Sequence, residues 1–207
     1  MGNICTLHTL YLSCAKLTDL TALGNIPALH TLVLHRCSQL TDVKALCKIP
    51  TLHTLDLSWC RQLTDLTGLG NIPTLYTLNL SVCDELTDLT ALCNSATLHT
   101  LNLSGCTQLT DLTALGNIAT LHTLDLSSCT QLTDLSQTGN IPTLHTLKLA
   151  GIYHYTDLTA LANIPNLKNT NLSTVVFRSL RTRSKSESDS KSKIKSNFRF
   201  ELKWGSF

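Results

Sequence analysis

Cysteine and histidine recur along this chain at spacings that invite metal, redox or acid–base chemistry. Cys14, Cys37, Cys60, Cys83, Cys106 and Cys129 share one place in a repeating phrase. His8, His30, His53, His99, His122 and His145 share another, with Tyr76 standing in the row between His53 and His99. If the phrases stack, neighbouring imidazoles stand ~5 Å apart. Three roles are then open to the row. It can be a solvated, stacking surface row. It can be a strip that senses pH, because adjacent imidazoles repel once protonated near ~6.5. It can be a transition-metal site, although no Cys or carboxylate on the same face completes a closed ligand set. A Cys–His–Asp set can be drawn from Cys129, His122 and Asp125. It fails as a catalytic set, because Asp125 is expected to face outward and Cys129 inward. No Gly-rich phosphate loop follows a strand and no nucleophile elbow is present. The expectation is a protein without catalysis, cofactor or bound metal.

The elements that position these residues follow from the phrase itself. L-H-T-L-x-L-S-x-C-x-x-L-T-D-L-T-A-L-G-N-I-P-T, 23 residues long, starts at Leu29, Leu52, Leu75, Leu98, Leu121 and Leu144. A copy one residue shorter starts at Leu7, and a decaying one at Leu167. A fixed period of this length marks a stacked solenoid, in which no unit buries its apolar face alone. Around Leu124-Asp125-Leu126 the apolar residues alternate with polar ones, which predicts a short strand with Leu inward and Thr123, Asp125 and Ser127 outward. After Cys129 the apolar spacing widens to three, through Leu132 and Leu135, which suits a helical or 3₁₀ turn. Asp134 is placed to cap that turn, and Gly139 to Pro142 to end it. The predicted fold class is α/β: one parallel sheet on the concave face, with short 3₁₀ or helical turns or loops on the convex face.

L-x-x-L-x-L-x-x-C resembles the signature of leucine-rich-repeat proteins. Cys129 followed by Leu132-Thr133-Asp134 is similar to the cysteine-containing subclass, and the short second half ending in I-P is similar to the internalin type. The resemblance covers roughly residues 7–166. It implies a recognition scaffold, and a Cys column that points inward and satisfies backbone groups of the adjoining loop. Cys47 and Cys93 share a different position, two coils apart, and are not expected to bond.

Charge divides the chain. Residues 1–177 hold seven Lys+Arg against eleven Asp+Glu, whereas residues 178–207 hold nine against three. The domain expectation is a repeat array over 1–177, with about seven coils and a degenerate last one, and a flexible basic Ser/Lys/Arg-rich tail over 178–207. Only that tail has the charge to contact nucleic acid or an anionic membrane. Thr174-Val175-Val176-Phe177 reads as a makeshift final strand, and Phe198 to Trp204 alternates like a strand. With no secretory signal and no long apolar run, the regular cysteines favour a reducing, cytoplasmic setting. Gly2 and Cys5 fit an acylation pattern that would make the chain membrane-peripheral, but the same residues also read as the end of a truncated repeat.

Binding is expected where the sheet face departs from the repeat. The middle and later coils show Thr, Asn, Ser and Gly there. The early coils carry Tyr11, Val33, His35, Arg36, Trp59, Arg61 and Tyr76, including side-chain types enriched among binding hot spots. The expected partner is an unidentified protein on this part of the face. Drift in a duplicated array would produce the same departures. An array lacking a polar cap at its start could instead associate end to end with another copy.

Overall fold

In the computed structural model, residues 6–152, 161 and 164–171 are described. Gly2, Cys5, the stretch 174–177 and the segment 178–207 lie outside the described residues. The eight strands are β1 (Thr9–Leu12), β2 (Thr31–Leu34), β3 (Thr54–Asp56), β4 (Thr77–Asn79), β5 (Thr100–Asn102), β6 (Thr123–Asp125), β7 (Thr146–Lys148) and β8 (Asn169–Asn171). They form one parallel sheet in chain order, β1 to β8. The period sets the register: Leu32 lies beside Leu55, Leu55 beside Leu78, Leu78 beside Leu101, and Leu101 beside Leu124. In β8 Thr170 takes the leucine place opposite Leu147.

β3 to β6 end at the outward residue Asp56, Asn79, Asn102 or Asp125, whose side-chain oxygen accepts the amide two residues on, at 2.8–3.0 Å. This local bond competes with continued extension, and these strands have three residues. Where Tyr11 and Val33 hold that place, β1 and β2 run for four, while β7 stops at three with Lys148 there.

Short 3₁₀ turns form the opposite side, at Leu23–Asn25, Lys44–Lys48, Leu69–Asn71, Thr90–Leu92, Thr113–Asn117 and Ser136–Asn140. The expected aspartate contact is present but displaced. The residue capping the last turn is Leu135, with no side-chain bond, while Asp134 before it accepts the Ser136 amide at 2.7 Å. The turn starts one place later than a cap at Asp134 requires. Gly139 and Asn140 lie within the turn instead of ending it, and the chain leaves it at Ile141.

The interior is a stack of leucine columns. Leu55, Leu78, Leu101, Leu124 and Leu147 are all 0% exposed. Leu7, Leu10, Leu12, Leu17 and Leu23 in the first coil are only partly buried. A second, polar column sews the coils together. Thr51, Thr74, Thr97, Thr120 and Thr143 each close a repeat by donating a hydroxyl hydrogen to the carbonyl of the leucine that opened it, one turn back, at 2.9 Å. In the last coil Asn166 takes that position, and its amide donates to the Pro142 carbonyl at 3.0 Å. Among the described residues no helix is long and apolar enough to cross a membrane.

Candidate functional site: two rims of the sheet

The Cys column lies inside the stack. The thiols of Cys60, Cys83, Cys106 and Cys129 donate to the carbonyls of Leu34, Leu57, Leu80 and Leu103, at 3.2–3.4 Å. Burial pushes the thiols of Cys60, Cys106 and Cys129 up to about 12, so little thiolate forms at neutral pH. Cys14, at the first coil, is exposed. The Cys129–His122–Asp125 set does not assemble. Cys129 is 0% exposed, and its sulfur is engaged with a backbone oxygen. The Asp125 carboxylate holds the Ser127 amide and lies 3.3 Å from Lys148 Nζ.

The histidines form the rim where the strands begin. His30, His53, Tyr76, His99, His122 and His145 stack in one continuous ladder, with centroid separations of 4.7, 5.0, 4.5, 4.0 and 5.0 Å. Each interplanar angle is 15° or less. Coil-to-coil spacing is close to ring thickness, so one aromatic side chain per coil stacks without adjustment. Nδ1 of His122 and His145 faces the carbonyls of Thr120 and Thr143 at 2.8 and 2.6 Å. A carbonyl only accepts, so each ring carries its proton on Nδ1. Lys168 continues the same register beyond His145. Among the described residues no three His, Cys, Asp or Glu side chains converge on a point that would hold a metal ion.

Partial burial, then the neighbouring His122 and His145, hold the His99 imidazole below its ordinary value of 6.5. The sign follows directly. A depressed folded value means the unfolded chain binds the proton more readily. The contribution of His99 is therefore complete above the ordinary value and is lost as pH falls through it toward the folded one. The melting temperature is expected to fall between about pH 7 and pH 5. His99→Tyr, which repeats the ring already present at Tyr76, is expected to flatten that fall. Melts of both proteins across this range check it, and equal slopes would remove His99 as the cause.

The opposite rim, where the strands end, holds most of the sequence candidates. In six successive coils after the first, one residue there has a left-handed backbone: Arg36 (φ 59°), Trp59 (65°), Val82 (59°), Gly105 (75°), Ser128 (60°) and Gly151 (73°). A positive φ suits glycine and strains a side chain with a β-carbon, by about 1–2 kcal/mol. Large side chains are nonetheless placed in the strained register at Arg36 and Trp59. The guanidinium carbons of Arg36 and Arg61 lie 5.3 and 5.1 Å from the centre of the Trp59 ring. Arg61 also reaches Asp84 at 3.5 Å. His35 is tied to the Ser58 hydroxyl at 2.8 Å. Tyr11, 70% exposed, pairs with Val33 across β1 and β2. The structure thus gathers Val33, His35, Arg36, Trp59 and Arg61 at one rim, with Tyr11 on the adjoining strand. It places Tyr76 elsewhere: its ring stacks between His53 and His99 at the other rim. The strained register was missed in the sequence, although Gly105 and Gly151 occupy the same place in their coils and were the available signal.

Similar solved structures share this architecture. Internalin C2 from Listeria monocytogenes is 32% identical, with 72% of this chain and 64% of that one covered, at a TM-score of 0.59. The chain is a leucine-rich-repeat protein. An internalin (inlF) from the same bacterium is 23% identical over 81% of this chain and 61% of its own, at a TM-score of 0.54. Human 5T4 (Wnt-activated inhibitory factor 1, trophoblast glycoprotein) is 21% identical over 82% and 70%, at 0.60. These last two likenesses concern the leucine-rich-repeat fold alone. The chain spans less than two thirds of the length of either internalin. No family model and no curated protein matches the sequence.

Proposed function

We propose that this leucine-rich-repeat chain is a non-catalytic recognition module whose protein partner docks at the strand-end rim of its early coils, centred on Trp59. Solenoids of this kind present a long, rigid surface made of one residue per coil at each register, and binding is their usual use. The observation that carries the reading is the strain at Arg36 and Trp59. A backbone position that takes glycine in two other coils holds large, half-exposed or exposed side chains here. Strain maintained at a surface position points to a role for the side chain. Trp and Arg are the types that dominate binding energy when desolvated by a partner. A cytoplasmic setting accords with the free thiols among the described residues.

The same strain supplies a clean test. Trp59→Gly removes the ring while giving the backbone the residue it already accepts at Gly105 and Gly151. Its stability is expected to stay within about 1 kcal/mol of the parent, because relief of the left-handed strain offsets lost contacts. Its affinity for a partner captured by the parent chain is expected to fall by roughly tenfold or more. Equal capture by both proteins would overturn the reading.

A further inference from the structure

We infer that the segment recognised at the Arg36–Trp59–Arg61 rim is acidic, a stretch of a protein partner rich in Asp and Glu. This rests on the recognition reading above and adds the chemistry of the partner. A guanidinium stacked over an indole keeps its N–H donors around its edge, so the ring orients each arginine without consuming its hydrogen bonds. Arg61 turns its Nε toward Asp84, which leaves its two terminal nitrogens to grip a carboxylate. Among the described residues Arg36 has no ion-pair partner, and it is exposed. Both groups are pre-positioned, so little side-chain freedom is lost when an anion arrives.

The distribution of charge selects the same partner. Between Arg61 and Lys148 the chain has no Lys or Arg, and it carries seven Asp and Glu. The early coils instead hold Lys16, Arg36, Lys44, Lys48 and Arg61 against Asp19, Asp42 and Asp56, a small positive balance. An acidic segment is therefore drawn to the early coils and repelled from the rest. A nucleic acid needs cations along an extended track, and beyond Arg61 the chain offers no Lys or Arg until Lys148. A short carboxylate-bearing stretch of a protein meets the two arginines without that penalty.

The test uses the full chain. Of its two tryptophans, Trp204 is changed to Phe so that Trp59 alone reports. The probes are a synthetic unstructured glutamate–alanine peptide and a lysine–alanine peptide of equal length. The glutamate peptide is expected to change Trp59 emission saturably, with affinity falling roughly tenfold as salt rises from low to physiological strength or above. Arg36→Gln with Arg61→Gln is expected to abolish the change; both side chains are exposed, and an unaltered melt shows that the fold is intact. No saturable change, an equal response to the lysine peptide, or an undiminished response in the double variant would overturn the inference. Partner capture separates this outcome from failure of the site itself. A partner lost with Trp59→Gly but kept with the two glutamines retains the site and overturns its acidic preference. A partner kept with Trp59→Gly removes the site.

Discussion

Leu101→Ala is expected to destabilise the array by about 3–4 kcal/mol, the largest effect of any conservative truncation considered for this chain. Leu101 sits in β5, is 0% exposed, and lies in register between Leu78 and Leu124. Truncation opens a void that both neighbours border. Neither can close it, because each is held by its own position in the ladder. Coils contact only adjacent coils, so the defect also weakens coupling between the two halves of the stack. Urea unfolding is expected to show a lower midpoint and a broader transition. Leu10→Ala in β1, where the parent side chain is only partly buried, is expected to lose about 1 kcal/mol. Equal losses at the two sites would contradict a shared interior.

Gly70→Ala comes second, at about 2–3 kcal/mol. A methyl group on buried Gly70 would press deep into the carbonyl oxygen of Ala91 in the next coil. That oxygen belongs to the backbone and cannot rotate away. Gly116 occupies the same repeat position two coils later, yet a methyl there meets nothing closer than 3.4 Å. Gly116→Ala is therefore expected to be neutral or slightly stabilising, within about 1 kcal/mol, by restricting the unfolded chain. Paired thermal melts of the two variants check this. A large loss at Gly116 would mean that the coils pack more uniformly than the structure shows.

Much of this was legible from the period alone. Two apolar residues separated by one gave the strands, and the widening to three after Cys129 marked the turns. The inward thiols were what the resemblance to leucine-rich-repeat proteins implied for the Cys129 column. What escaped was whatever depends on angles or on position along a coil. The left-handed register at Arg36, Trp59 and Val82 is a backbone property, visible in the sequence only through Gly105 and Gly151. Nothing local in the sequence shows that the hydroxyls of Thr51 and its equivalents reach one turn back along the stack. Asp134 was placed one residue too far into the turn, since a 3₁₀ segment needs fewer leading amides than an α-helix. Tyr76 was grouped with Trp59 on chemical type. Yet His53, its neighbour in the ladder, precedes Trp59 by six residues, at most roughly 20 Å of extended chain.

The unslipped pairing of the strands bears on how such a chain can change. Each coil presents to its successor nearly the same surface it meets from its predecessor. Excision or copying of one whole unit leaves two faces that already match, whereas any other gain or loss within a strand turns leucines toward water and is accommodated only outside it, as in the first coil, one residue shorter yet with Leu10 beside Leu32. Length can therefore vary in steps while the joint between units stays the same. Individuality is confined to the few rim residues that each unit carries with it.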